Sequence, residues 1–393
     1  MESILIEQLP ANRRSLRLAI VTETYPPEVN GVALTLSRFV DGLRERNHEI
    51  QLIRPRQDQA EQAAQGIGFN EMLTGGMPIP RYPDLKMGLP AKRALIKQWL
   101  LRRPDLVHIV TEGPLGWSAL QAARKLKIPV CSDFRTNFHS YSQHYGIGWL
   151  KKSIVGYLRK FHNRTLLTMV PTEHMRAELA ATGFSNLRVV ARGVDTELFK
   201  PARRSETLRR AWGVSADTLV VLYVGRLAAE KNMAALVAAY TAIRQQLPGA
   251  RLVMVGEGPE AKTLRSHLPD AIFAGARRGE ELATHYASGD MFLFPSLTET
   301  FGNVTLEAMA SGLPLVAYNY AAAAQHVQHG NNGQLAAFGS TDDFTTLAVA
   351  LAVMHSDELS LFKAMGRKAR LTTESLDWKY VVEQLEALMF TIA

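Results

Sequence analysis

Cysteine is almost absent. One thiol, Cys131, stands in 393 residues, so no internal disulfide can form and a disulfide-stapled secreted scaffold is excluded. It lies in the apolar run Ile128-Pro129-Val130-Cys131, where a thiol reads as buried filler, and a cytosolic setting fits. Long hydrophobic runs are also missing. The longest, Leu347 to Met354, is far shorter than the roughly 18 residues that suggest a membrane span. The first fifteen residues are charged and have no sustained apolar core, so they do not read as a secretory signal. The three-glycine spacing of a dinucleotide fingerprint appears nowhere.

What is present describes an ordered globular chain: 47% hydrophobic and 21% charged residues, with a length beyond what one core usually supports, hence two domains. The net charge of +8 suits nucleic acid, an anionic membrane or phosphate-bearing substrates, and charge alone does not choose among them. No recognised nucleic-acid module accompanies it, so no nucleic-acid partner is expected.

Short β-branched runs alternate with helical patterns along nearly the whole chain, from Leu16 to Val21 onward, and predict an α/β fold with parallel sheets covered on both faces. Residues 1–15 read as a mobile lead-in, 16–193 as a first domain, 194–375 as a second, and 376–393 as a terminal amphipathic helix. The Gly- and Pro-rich stretch 58–90 reads as loop-dominated, with a small hairpin around Met77 to Tyr82. The pattern from Trp149 to Phe161 is a basic amphipathic helix. Its apolar stripe is Leu150, Ile154, Leu158 and Phe161, with Lys151, Lys152, Arg159 and Lys160 off the stripe, and it reads either as core-packed or as docked on a membrane surface.

Candidate chemistry collects in strand-to-helix loops, where parallel α/β sheets bind ligands. Gly31 opens a helix after the first strand, where a backbone approaches an anion closely. Arg226 and Lys231 follow the first strand of the second domain, and two fixed cations there neutralise a departing diphosphate. Glu299 precedes a helix that opens near Gly302, and Glu307 lies inside that helix. The amides at Phe301, Gly302, Asn303 and Val304 offer donors, and Glu299 an acceptor. His139 sits in the polar, aromatic stretch from Ser132 to Gly146 after another strand. Taken singly, each of these has a structural alternative: a turn glycine, surface charge, a solvated loop carboxylate, a satisfied histidine.

Together the motifs change the balance. The stretch Phe294 to Pro314, with Glu299 and Glu307 eight positions apart, resembles the Glu-x7-Glu signature of the retaining nucleotide-sugar glycosyltransferases of family four. Gly225-Arg226-Leu227 with Glu230-Lys231-Asn232, and Gly193-Val194-Asp195 with Phe199 and Pro201, resemble the same family. Asp133-Phe134-Arg135-Thr136-Asn137-Phe138-His139 is similar to an element of its lipid mannosyl, glucosyl and sulfoquinovosyl transferases. The resemblance implies a GT-B fold, two Rossmann-like domains facing a central cleft, with acceptor in the first and donor in the second, and a last helix that crosses back to the first. It implies that Gly31, Arg226 and Lys231 hold the donor diphosphate, Glu307 the ribose, and Glu299 with His139 the sugar. The helix start at Phe301, Gly302, Asn303 and Val304 also belongs to the donor site.

The expected donor is GDP-mannose or a UDP-hexose, with no cofactor and no metal. The expected acceptor is a membrane lipid or glycolipid, with the enzyme cytoplasmic and peripheral on the inner face of the cytoplasmic membrane. The alternatives are a soluble or polysaccharide-precursor acceptor and a non-catalytic basic scaffold. A phosphorylase of the same architecture would need a pyridoxal phosphate lysine and a longer chain. At Ala321 to Val327 the sequence departs from the commoner family pattern, a glycine-rich turn leading to a Glu, which leaves the sugar preference open.

Overall fold

In the computed structural model, which describes residues 14–28, 30–58, 60–79, 82–135 and 151–393, the β-branched runs become strands and the amphipathic segments cover them. The first half contributes β1 (Arg17–Val21), β2 (Glu49–Pro55), β3 (Gln65–Gly66), β4 (Phe69–Thr74), β5 (Gly76–Ile79), β6 (Tyr82–Gly88), β7 (Leu106–Ile109), β8 (Val130–Asp133), β9 (Leu167–Val170) and β10 (Leu187–Val189). The main sheet runs β10-β9-β8-β7-β1-β2-β4-β3. It is parallel throughout except where β3 meets β4.

One expectation needs correcting. The stretch 58–90 is not loop-dominated: β4 extends the parallel sheet beside β2, while β5 and β6 pair antiparallel, in keeping with the hairpin expected around Met77 to Tyr82. β4 escaped notice because only its last residue, Thr74, is buried, so its polar Asn70 and Glu71 mask the strand period.

The second half gives β11 (Val220–Val224), β12 (Arg251–Val255), β13 (Ile272–Gly275), β14 (Met291–Phe294), β15 (Leu315–Tyr318) and β16 (Gln334–Ala336). They form a wholly parallel sheet in the order β13-β12-β11-β14-β15-β16. The order reverses direction between β11 and β14, as it does between β1 and β7 in the first sheet. Such reversals open a crevice beyond the carboxyl ends of the strands, where ligands bind in doubly wound folds.

Burial follows from the strand period of two. Leu18 and Ile20 of β1 enter one cluster with Leu36, Phe39 and Leu43 of the Gly31–Glu45 helix. Ala19 and Val21 enter the other, with Leu115 and Ala119 of the Pro114–Lys125 helix. The terminal helix, Trp378–Phe390, completes the first of these clusters with Val381, Val382, Leu385 and Met389. It lies so close to the first helix that a Cβ on Gly42 would come within 2.7 Å of Val382. Its Glu386 accepts from Arg46 and from His48 Nε2 at 2.8 Å. The tautomer is set by the Leu16 amide, which donates to His48 Nδ1 at 3.0 Å.

The basic helix runs Lys151–His162 among the described residues; Trp149 and Leu150 lie outside them. Leu158 and Phe161 are buried, while Lys152, Ile154, Tyr157 and Lys160 are exposed. The carboxy-terminal part of the apolar stripe therefore packs in the core, while Ile154 at its other end is exposed, as are Tyr157 and the cations Lys152, Arg159 and Lys160.

At the amino ends of the second sheet, Arg209 is fully buried. It donates to the carbonyls of Ser288, Ser215 and Thr218 at 2.9 Å each and to Asp290 Oδ2 at 3.0 Å. Asp290 also pairs with Arg204 at 3.1 Å, so loss of Arg209 chiefly leaves buried carbonyls unsatisfied, at a cost of about 1–3 kcal/mol for each such group. Arg209→Met should lower the urea midpoint accordingly. Arg244→Ala, which breaks a solvent-exposed pair with Asp270, should change stability by less than ~1 kcal/mol. Equal shifts in the two variants would contradict this account of the second domain.

Candidate active site

The second-domain switch point brings together groups that lie far apart in sequence. β11 is followed by Gly225, whose carbonyl oxygen would sit 1.9 Å from any Cβ on Gly256. Gly256 itself holds φ 142°, so only glycine lets the loops after β11 and β12 nest. Beyond Gly225 a short 3-10 turn, Ala229–Lys231, delivers Lys231 toward the loop after β14.

There Lys231 Nζ donates to Glu299 Oε1, and Ser296 Oγ donates to the same oxygen at 2.8 Å. Lys231 also reaches the Thr298 carbonyl at 3.3 Å, and Tyr320 Oη holds the Glu299 carbonyl at 3.1 Å. With side chains only 17% and 16% exposed, Lys231 and Glu299 form a partly desolvated pair. Arg226 lies apart from it, 65% exposed and 3.7 Å from Glu230.

The helix after this loop, Asn303–Ala310, starts at Gly302 with φ 94° and has no capping side chain. Its amino end therefore offers uncapped donors and the positive pole of the helix dipole. Phe301 is buried against the His326 ring, so its backbone rather than its ring is available to a ligand. Val304 is half-buried on the first turn. Glu307, one turn further in, accepts from Tyr286 Oη at 2.9 Å. Burial pushes the Glu307 carboxyl up to about 7, with the Tyr286 hydrogen bond pulling the other way.

Across the cleft, Gly31 begins its helix as placed from sequence, but that end is already capped. Asn30 Oδ1 accepts from the amides of Val32 at 3.1 Å and Ala33 at 2.9 Å. A Cβ at Gly31 would come within 2.8 Å of Arg192 Nη1, so the missing side chain makes room for that guanidinium. Arg192 Nη1 in turn donates to Asn303 Oδ1 at 3.4 Å. Gly31 of the first domain and Asn303 of the second thus meet through one arginine. His139 lies outside the described residues.

Sequence reasoning assigned no role to Ser296, Tyr286, Arg192 or Glu23. Arg192 carries the clearest overlooked signal, a charged residue at an otherwise apolar strand end next to Gly193. Glu23 follows β1 at the first-domain switch point. The Leu115 amide donates to it at 3.2 Å, and burial raises its carboxyl to about 7 despite that bond. A cavity of about 1180 Å³ opens at the opposite edge of the second sheet, near Leu219, Asp290 and His355, and shares none of these residues.

Comparison with known proteins gives this geometry a lineage. Residues 29–198 match the model of Glycosyltransferase Family 4, and residues 218–353 that of Glycosyl transferases group 1. A GDP-mannose-dependent alpha-mannosyltransferase from Corynebacterium glutamicum is 35% identical over 82% of this chain and 77% of its own. An alpha-monoglucosyldiacylglycerol synthase from Streptococcus pneumoniae is 27% identical over 77% of this chain and 71% of its own. Among solved structures, HepE from Anabaena in complex with UDP-glucose superposes with a TM-score of 0.71, at 18% identity, covering 96% of this chain and all of that one. The parallel doubly wound domains are those of the GT-B fold, and the chain belongs to the family 4 glycosyltransferases, as a hexosyltransferase.

Proposed function

We propose that this enzyme moves a hexose from GDP-mannose or a UDP-hexose to a hydroxyl of a membrane lipid or glycolipid, with retention at the anomeric carbon. The observation that carries the reading is the Lys231–Glu299–Ser296 cluster beside an uncapped helix end at a switch point. The mannosyltransferase and diacylglycerol-glycoside synthase names among its relatives, and the UDP-glucose bound to a structural neighbour, support the donor and acceptor classes.

Lys231 and Glu299 satisfy each other. An arriving donor offers each a better partner: diphosphate oxygens for Lys231, sugar hydroxyls for Glu299. Arg226, exposed and weakly held, turns inward onto the diphosphate, and Glu307 accepts from the ribose. His139 meets the sugar from the first domain. Among the described residues no carboxylate is evident as a covalent nucleophile, so in this reading the acceptor oxygen attacks from the face the diphosphate leaves. The C1–O bond to diphosphate breaks, the C1–O bond to acceptor forms, and the acceptor proton passes to a diphosphate oxygen. Lys231 and Arg226 carry the developing charge in place of a divalent ion.

Glu299→Gln and Lys231→Ala should each lower kcat on the order of 100-fold or more in protein that remains folded. Unaltered turnover in either would remove that residue from the site. EDTA should leave the wild-type rate unchanged.

The Glu307 carboxyl supplies a pH test. Its folded pKa, about 7, lies above the unfolded value of 4.5, so without ligand its contribution to stability falls as pH rises through that window. Ribose hydroxyls favour the ionised form. Nucleotide binding at pH 7 should therefore release about half a proton, and affinity should rise with pH up to about 7 and then level off. Calorimetry in two buffers of different ionisation enthalpy measures the release, which should vanish in Glu307→Gln. An undiminished release there would place the titrating group elsewhere.

For the acceptor, the Lys151–His162 helix exposes Lys152, Arg159 and Lys160 together with Ile154 and Tyr157, a composition suited to a lipid interface. Each cation near an anionic surface adds about 1 kcal/mol of attraction. The protein should sediment with anionic but not neutral vesicles, less so at high salt and less so as the Lys152→Gln, Lys160→Gln double variant. Full recovery in every supernatant would favour the soluble acceptor.

A further inference from the structure

We infer that Arg192, reaching from the first domain onto Asn303 of the second, is a donor-binding residue that takes the distal phosphate of the nucleotide diphosphate, with Arg135 behind it. The inference rests on the donor reading above and adds to it a cation that neither the Arg226–Lys231 pair nor the Glu-x7-Glu stretch includes.

The charges around Arg192 do not balance. Arg192 and Arg135 are only 6% and 5% exposed. Asp133 is already shared by Arg135 Nε at 2.8 Å and His108 Nε2 at 3.3 Å, and Glu299 is held by Lys231. Among the described residues Arg192 has one long bond, to Asn303. Its Nε, together with Nη1 and Nη2 of Arg135, has no hydrogen-bond partner among the described residues. Burial, with Arg135 close by, pushes the Arg192 guanidinium down to about 9, yet at neutral pH it remains charged. A guanidinium offers five donors in a fixed fork, and a buried one left this way calls for an oxyanion that accepts in pairs.

Position narrows which oxyanion. Arg192 touches the helix end that carries Glu307, feels the charge of Glu299, and lies over Gly31 at the start of the facing helix. A group held there lies at the amino end of the helix that carries the ribose carboxylate and within the field of the sugar carboxylate, a position suited to the diphosphate that joins ribose to sugar in a nucleotide-sugar. An anionic group on the acceptor has the same chemistry and is the other source the test must separate.

Calorimetric binding of GDP, GMP, UDP and UMP to wild type, Arg192→Gln and Arg192→Lys decides the matter. For whichever base binds, Arg192→Gln should weaken the diphosphate about 10- to 100-fold, as loss of charge-assisted hydrogen bonds does, and the monophosphate by less than about threefold. Arg192→Lys, which keeps the charge but not the fork, should fall between. A role in packing alone would lower Tm and leave the diphosphate-to-monophosphate ratio untouched, overturning the inference. An unchanged diphosphate Kd with a raised KM for acceptor would also overturn it and give the pair to the acceptor. If wild type bound none of the four nucleotides, the donor reading itself would fall, an outcome distinct from failure of Arg192 alone.

Discussion

Parallel strands cannot be joined by tight turns, and that constraint arranges everything else here. Each strand must be followed by a crossover before the next begins, so the loops leaving the carboxyl ends of a sheet all emerge at one edge. In the second sheet that edge gathers Gly225 to Lys231 and the loop that carries Ser296 and Glu299. In the first it gathers Glu23, Gly31 and Asp133. The two edges meet where Arg192 spans from Gly31 to Asn303.

The cleft treats its two helix ends differently. One is closed by its own Asn30, the other begins at a left-handed glycine with no cap. An unmade cap is a small local cost, typically about 1 kcal/mol, and it leaves backbone donors available to a ligand. The carboxylates are handled with the same asymmetry. Asp133, flanked by Arg135 and His108, is held well below the usual carboxylate range although fully buried. Glu307 has only a tyrosine hydroxyl and is driven upward. A carboxyl without a cation is the one whose charge state a ligand can change.

Much of this was legible in the chain. The alternation of β-branched runs with amphipathic segments predicts the parallel sheets, and the apolar run to Phe294, the Pro295-Ser296 turn and the helical pattern from Gly302 predict the strand, loop and helix that hold Glu299 and Glu307. The reason is that fully buried strands and helix starts have local signatures. What escaped notice depends on partners distant in sequence. β4, with its half-buried polar residues, is a strand because β2 lies beside it. Arg192 has no role until the glycine at 31 and the asparagine at 303 are seen around it. Glu307 is assigned to the ribose by the resemblance, but its raised carboxyl shows only once Tyr286 and the apolar wall behind it are seen. Residue type reports what a side chain prefers, and tertiary placement decides whether that preference is met.

The terminal helix has a bearing on how the polypeptide is made. Val381, Val382, Leu385 and Met389 lie in the same cluster as Leu18 and Ile20 of the first strand, more than three hundred and fifty positions earlier in the sequence. During synthesis the first domain emerges long before the helix that covers this face, and at about 5–20 residues per second the whole second half is translated in the interval. Nascent chains must therefore carry an uncovered apolar groove along the Gly31–Glu45 helix until residues 378–390 clear the ribosome. The last helix then closes the fold as a clasp, which makes the assembly of the first domain wait on the completion of the second.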